Sequence, residues 1–281
     1  CGSAGIQRSR FATRRAGYRS APFDCAEACN CGIVIQMNLF ALLVGLGASL
    51  GMWQVHLSAP PWHRRVYLNA GLLALLGALL GARLFSVAFY WGYYREHVWE
   101  IFQLWRGGLS WVGALAGGVL ATWLVSRSTR ISWKLFADHL SPLLLPLGVM
   151  TWLGCWQTGC AYGPLAADWG LPGIATLDET GQLLPRVPLQ PLAAACLALL
   201  LGWVESRRKA FRCPGMRASA FGMAFSLHLL LFTAFRADPA PRWFSLRPET
   251  WAALVFCLLF AVGWALCRER GQPCEQPPQQ V

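Results

Sequence analysis

Seven stretches of this chain are apolar for long enough to cross a lipid bilayer, and that leaves few ways for it to fold. They run over about 33–53, 66–89, 109–125, 135–156, 189–204, 218–235 and 251–267. A hydrocarbon core about 30 Å thick takes about 20 helical residues to span, and it offers no partner to an unpaired amide or carbonyl. Helices satisfy those groups internally. The expected fold is therefore all-α, a polytopic membrane protein with about seven transmembrane helices. The third and fifth runs are short, and Pro191 threatens the start of the fifth. Composition agrees, since 56% of the 281 residues are hydrophobic and only 13% charged, where a soluble domain carries about 25% charged. Fifteen Trp suit a protein with two membrane interfaces.

The formal net charge is +11, which in a soluble protein would point to nucleic acid. In a membrane protein it reads as Lys and Arg kept in cytoplasmic loops beside anionic headgroups, and no nucleic-acid partner is expected. The loops after the first, third and fifth runs, with the tail, hold Arg64, Arg65, Arg127, Arg130, Lys134, Arg207, Arg208, Lys209, Arg212, Arg217, Arg268 and Arg270. The opposite loops hold Arg95, Arg106, Arg186, Arg236, Arg242 and Arg247. The richer set marks the cytoplasmic side, so the first span enters from outside and the C-terminus lies inside.

Three regions follow. Residues 1–32 form an Arg-rich leader expected to be disordered or foreign to the fold, 33–267 the transmembrane domain, and 268–281 a Pro/Gln-rich cytoplasmic tail. The external stretch 157–188 is the longest connection, and a loop of that length usually builds a lid, a small head or a binding surface. Glycines recur at close spacing, as in Gly77 and Gly81 and in Gly113, Gly117 and Gly118. They let helix backbones approach closely, and helix packing explains most of them.

Ionisable residues inside a bilayer are costly and so informative. Arg83 could hold a phosphate from a wet cavity or snorkel to the interface. His228 is more often a packed core histidine than a base. Asp138 and His139, near a cytoplasmic end, could cap a helix. Arg236 and Asp238 could be a surface ion pair of little energetic weight. Two loop-like segments, Arg106-Gly107-Gly108-Leu109-Ser110 and Gly154 to Gly163, place several Gly at a membrane boundary, where irregular backbone survives only beside protein or a polar cavity. Cys155 and Cys160 could pair or bind metal, though two separate thiols are the more modest reading. Cys25, Cys29 and Cys31 lack a second ligand pair, so zinc is weakly supported. No Walker loop or His-Glu-x-x-His occurs.

The stretch GARLFSVAFYWGYYREHVWEIFQLWRGGLSWVGALAGG, from Gly81 to Gly118, resembles successive motifs of the bacterial prolipoprotein diacylglyceryl transferase family. Asp138 to Gly163 resembles the family signature in its Gly-Arg-x-Gly-Cys-Phe-x-x-Gly-Cys-x-Tyr-Gly variant, and FTAFRADPAPRW the segment closing the sixth span. The resemblance covers about 33–267. It implies transfer of the diacylglyceryl group of phosphatidylglycerol to the thiol of a lipobox cysteine, at the signal peptide of a prolipoprotein in the bacterial plasma membrane. Glycerol phosphate leaves, and no cofactor or metal is required. Such chemistry calls for Arg donors at the phosphate and help in deprotonating the thiol.

Carried over residue by residue, the matching positions are Arg83, Gly107, Gly108, Ser110, Gly113, Asp138, Gly154, Gly159, Gly163, Gln190, Arg236 and Asp238. Several polar family positions are not kept. The motif's His falls on Val112, the signature's Arg on Trp152, its Asn positions on Cys155 and Thr158, and its acidic residue on Cys160. An early Tyr of the first span falls near Asn38, and the Arg and Glu of the sixth near Leu229 and Thr233. Two expectations result. In the first the chain is a transferase, with His228 and Asp138 as catalytic groups. Arg83, Arg236, Gly107, Gly108, Ser110, Gly154, Gly159 and Gln190 then line the lipid phosphate. In the second it is a non-catalytic relative, a pseudoenzyme binding lipid or a partner helix. A transporter would place paired polar groups in mid-span, and these runs are too apolar for that.

Overall fold

The computed structural model describes residues 25–104, 107–178, 181–211 and 213–269, with side chains from residue 39 to 268. The Arg-rich leader, the thiols of Cys25, Cys29 and Cys31, the side chain of Asn38, and Trp105, Arg106, Glu179, Arg212, Arg270 and the tail beyond it lie outside the described residues. The chain divides into two compact units, Cys1–Ile35 and Gln36–Val281, and the bundle belongs to the second.

The helices in chain order are α1 (Cys25–Ser58), α2 (Arg64–Phe89), α3 (Trp91–Tyr94), α4 (Trp111–Thr129), α5 (Trp133–Leu140), α6 (Leu144–Thr158), α7 (Leu189–Ser206), α8 (Met216–Ala234) and α9 (Pro248–Glu269). Among the described residues, five segments are long and apolar enough to cross a membrane by length and composition: Leu39–Ser58, Pro61–Phe89, Leu189–Ser206, Met216–Ala234 and Pro248–Arg268. The outward surface fits that solvent. Leu42, Leu199 and Leu259 are each more than 60% exposed, which water would penalise and acyl chains do not.

The other two expected runs fold differently. The run over 135–156 is broken at Ser141–Leu143, where Pro142 supplies no amide to the ladder and the chain makes a 3-10 turn. What remains is α5, with 8 residues, and α6, with 15, the latter rising only about 22 Å. Neither spans a bilayer alone. α4 has the length, but its glycines and its polar last turn, Ser126 to Thr129, dilute its apolar character.

Two cores organise the bundle. One joins α6, α7, α8 and α9 through Trp152, Leu197, Leu201, Phe221, Ala224 and Ala253. The other joins α1, α2 and α5 through Val55, Tyr67, Ala70 and Phe136. Close glycine contacts bind the remaining pairs. A Cβ on Gly47 of α1 would sit 2.8 Å from the Pro146 carbonyl of α6. α2 and α4 approach most tightly, with Gly77 and Gly81 facing Gly113 and Gly117 and a Cβ on Gly77 falling 2.7 Å from the Gly117 carbonyl. That is the small-residue packing expected from the spacing.

The stretch 157–188 forms a small head. Its strands, β1 (Ile174–Leu177) and β2 (Leu183–Arg186), pair antiparallel with Ile174 opposite Arg186 and Leu177 opposite Leu183.

Neighbouring glycines on α4 should respond in opposite ways to one methyl group. A Cβ on Gly117 would collide with the backbone of Gly77 and lie 3.0 Å from Gly81 Cα, whereas one on Gly118 meets nothing closer than 3.5 Å. Gly117→Ala should cost about 1–3 kcal/mol. Gly118→Ala should be neutral or gain up to about 1 kcal/mol from helix propensity. Thermal unfolding of the two variants in detergent checks this, and equal midpoints would overturn the packing.

Candidate functional site

The first turn after α6 is built from unusual backbone. Gly159 ends the helix at φ 74° and Ala161 follows at φ 53°, both left-handed, a region where Ala is strained. Three bonds hold the turn. Cys155 and Cys160 form a disulfide with Cα atoms 4.7 Å apart, so the reading of two separate thiols gives way to the paired alternative. The Gln190 side-chain amide donates to the Cys160 carbonyl at 3.0 Å from a fully buried position on α7. The Ala237 amide, beyond α8, donates to the Tyr162 carbonyl at 2.9 Å.

Behind the turn, Arg186 at the end of β2 is 8% exposed. Its guanidinium lies 4.1 Å from the Tyr162 ring centroid and reaches Asp178 and the Gly163 carbonyl, each at 3.4 Å. By sequence Arg186 is only a loop charge. Its role depends on the hairpin that returns it beside Asp178, for which Gly181 between the strands was the one available signal.

Facing the turn is the segment that closes α8. Arg236 grips Asp238 at two points, Nε to Oδ1 at 2.9 Å and Nη2 to Oδ2 at 2.7 Å, and donates from Nη1 to Glu249 at 2.7 Å. Arg247 donates to Asp238 Oδ2 at 3.2 Å, to the Arg236 carbonyl at 3.1 Å and to the Asp238 carbonyl. The expected surface pair is thus a four-residue, largely buried network, and Arg247 and Glu249 are members that the sequence does not indicate. Burial alone would raise the Asp238 carboxyl. The hydrogen bond and charge of Arg236, backed by Arg247, outweigh burial and hold it below its ordinary value. Arg236 is opposed by burial too, yet Asp238 and Glu249 keep it above its ordinary value.

Between these two segments lies an open cleft of about 460 Å³, lined by Thr158, Gly159, Cys160, Ala161, Arg236, Asp238 and Pro239. Of the residues expected to act, Arg236 and Gly159 line it, and Gln190 supports its floor.

The others are elsewhere. Arg83 is buried, and its guanidinium is spent on the loop that precedes α4. It donates to the carbonyls of Glu100, Ile101, Gln103, Gly107 and Gly108 and to the Tyr94 hydroxyl. Gly108, at φ 68°, leaves room for it, since a Cβ there would lie 2.9 Å from Arg83 Nη1. Ser110 then opens α4, its amide donating to the Ala82 carbonyl at 3.1 Å. Gly154 packs against the ring of Phe40. Asp138 does cap a helix, but not its own: its carboxylate accepts the amides of Gly215 at 2.6 Å and Ala218 at 2.7 Å where α8 begins. The 19 residues of α8 rise about 28 Å, so Asp138 and Arg236 cannot serve one reacting atom. His228 lies two turns below Arg236, 1% exposed, with Phe232 and Trp152 at ring-centroid distances of 4.6 and 5.9 Å. It is a packed core histidine. Among the described residues, no three of His, Cys, Asp and Glu gather as metal ligands.

A family profile described as prolipoprotein diacylglyceryl transferase matches residues 28–266. Relatives bear the name phosphatidylglycerol–prolipoprotein diacylglyceryl transferase. That of Nitratidesulfovibrio vulgaris is 30% identical over 250 residues, covering 84% of this chain and 91% of its own. That of Thermosynechococcus vestitus is 26% identical over 245 residues, covering 83% and 89%. That of Paracidovorax citrulli is 32% identical over 187 residues, covering 65% and 68%.

The depressed Asp238 carboxyl fixes the sign of an acid effect. Its stabilisation is complete above the unfolded carboxyl value, about 4, and is lost as pH falls through the lower folded value. The unfolding midpoint in detergent should hold from neutrality to about pH 5 and drop below about pH 4. Asp238→Asn should lose about 2–3 kcal/mol at neutral pH and flatten that drop; a native acid profile in the variant would refute the network. Arg83→Lys should also melt earlier, because three ammonium protons cannot replace a planar fork serving six acceptors. An unchanged midpoint would refute the clamp.

Proposed function

Because the chain belongs to the prolipoprotein diacylglyceryl transferase family, we propose that it moves the diacylglyceryl group of phosphatidylglycerol to the cysteine thiol of a prolipoprotein signal peptide. The observation that carries this reading is the cleft between Thr158–Ala161 and Arg236–Pro239, which sets a guanidinium in an open site beside lipid-facing helices. In the reaction, thiolate sulfur bonds to the glycerol carbon bearing the phosphate ester. The carbon–oxygen bond breaks, and glycerol phosphate leaves with the electron pair.

Arg236 is the group suited to that leaving phosphate. The network is neutral overall, so phosphate exchanges with a carboxylate rather than meeting a bare cation. Glu249 is the partner that yields, since it holds Arg236 by one bond and its side chain is 34% exposed. Asp238 keeps the guanidinium oriented. Gln190 and the disulfide hold the opposite wall. Arg83 acts at one remove, by fixing the loop into α4.

Proton removal is where this chain departs from its family. Asp238 is the carboxylate in the cleft, and a carboxyl held below about 4 is a poor base for a thiol near 8.5, a gap costing about 6 kcal/mol. The thiolate is therefore supplied by ionisation in water, and the rate should climb with pH until about 8.5.

The orientation read from the loops belongs to the same proposal: cleft outside, C-terminus cytoplasmic, α4 and the broken α5–α6 pair completing seven crossings, and 33–267 as the working domain in a bacterial plasma membrane. A disulfide at the cleft end supports it, because such bonds persist in oxidising compartments. A second reading, a non-catalytic lipid- or partner-binding homologue, is favoured by Val112 and Trp152. Both are buried at positions where the resemblance calls for a base and a cation.

A host depleted of its own transferase, supplied with this chain and a lipobox reporter, separates the two. The expected result is a diacylglyceryl mass shift on the reporter, abolished or lowered about 100-fold by Arg236→Gln and retained by Glu249→Gln. A folded, membrane-inserted chain that binds phosphatidylglycerol but yields no shift at any pH up to about 9 would refute transfer and support the second reading.

A further inference from the structure

At the other end of the bundle, the turn from α4 to α5 opens a second cleft, of about 500 Å³. Two cations, Arg127 and Arg130, two indoles, Trp123 and Trp133, and two hydroxyls, Ser126 and Ser132, line it. No carboxylate does. Among the described residues neither arginine makes an ion pair or side-chain hydrogen bond; the Arg127 guanidinium rests over the Trp123 ring at 5.1 Å. Both side chains are exposed, so the two charges face whatever enters the cleft with no protein carboxylate in its lining to neutralise them.

The backbone adds a second observation. Arg130 closes α4 at φ 58° and ψ 12°, in the left-handed region, a position that helices normally give to glycine. Glycine would relieve the strain, yet the chain keeps an arginine there. α5 follows at once, and its N-cap Ser132 makes no side-chain capping bond, which leaves first-turn amides and a hydroxyl for an acceptor from outside.

The surface leading into the cleft identifies that acceptor. Leu120, Trp123, Leu124 and Arg127 follow one another at three- and four-residue spacing on one face of α4. Leu120 and Leu124 are 55% and 54% exposed. An apolar track ending in two cations between two indoles matches an acyl chain continued into a phosphate at the headgroup level. We propose that this cleft binds the anionic phosphate of a membrane phospholipid, its chains lying along Leu120 and Leu124. It is distinct from the cleft that holds Arg236, with which it shares no lining residue.

Native mass spectrometry of the full chain in detergent, with phosphatidylserine or phosphatidylcholine added, tests the assignment. Arg127→Gln/Arg130→Gln should bind phosphatidylserine about fivefold more weakly per charge removed. Phosphatidylcholine retention should stay unchanged. Arg65→Gln/Arg268→Gln removes the same charge at the same end and should bind as the native chain does. Arg130→Gly should lower phosphatidylserine binding while raising the unfolding midpoint, a combination that misfolding cannot produce. Equal losses in both double variants would mean diffuse surface charge and overturn the site. So would native binding in Arg130→Gly, or full displacement of the lipid by millimolar inorganic phosphate.

Discussion

Arg236 held between Asp238 and Glu249 embodies the condition under which the whole structure stands. Hydrocarbon surrounds most of this chain, and inside it neither a charge nor a backbone polar group can be left for water to satisfy. Each well-buried guanidinium is accordingly answered within the protein. Arg83 gathers six acceptors from the loop into α4, Arg186 spans Asp178 and the ring of Tyr162, and Arg247 ties α9 to the segment after α8. These arginines are the means by which irregular backbone survives at a membrane boundary.

The same condition separates the bundle into regions with different work. The middle is apolar and held by glycine contacts between α2 and α4 and by the leucine core of α7 and α8. His228 is buried there against Trp152 and Phe232. Polar chemistry is confined to the two ends. One end carries the disulfide-pinned turn and the arginine–carboxylate network around a cleft. The other carries Asp138, fastening the start of α8 from a neighbouring helix, and the two arginines at the end of α4, which have no carboxylate partner among the described residues. Val112 and Trp152 are buried in the interior and add to its packing.

Much of the scaffold was readable in the chain itself. Apolar runs announced the helices, and Gly77, Gly81, Gly113 and Gly117 announced a close crossing, because both signals are local and follow from helical geometry. The break at Pro142 was also written there, but a continuous apolar run hid it. The candidate site was less legible. Arg236 and Asp238 are two residues apart and were read as a pair. Arg247 and Glu249 joined them only because α9 packs antiparallel against α8. Arg186 needs a hairpin to reach Asp178, and the sequence leaves Arg83 open between a phosphate ligand and a snorkelling side chain, whereas the fold gives it to the loop carbonyls.

Hydropathy, glycine spacing and the bias of Lys and Arg thus determined by themselves that this chain is a helical membrane bundle, since each reports how one segment meets its solvent. Which cations are free to meet a ligand was decided by the tertiary structure alone. A guanidinium has the same charge in any sequence context, and what it does depends on which acceptors the fold brings within about 3 Å. For Arg83 and Arg247 the fold supplies them, for Arg236 it supplies a partner that can yield, and for Arg127 and Arg130 it supplies none.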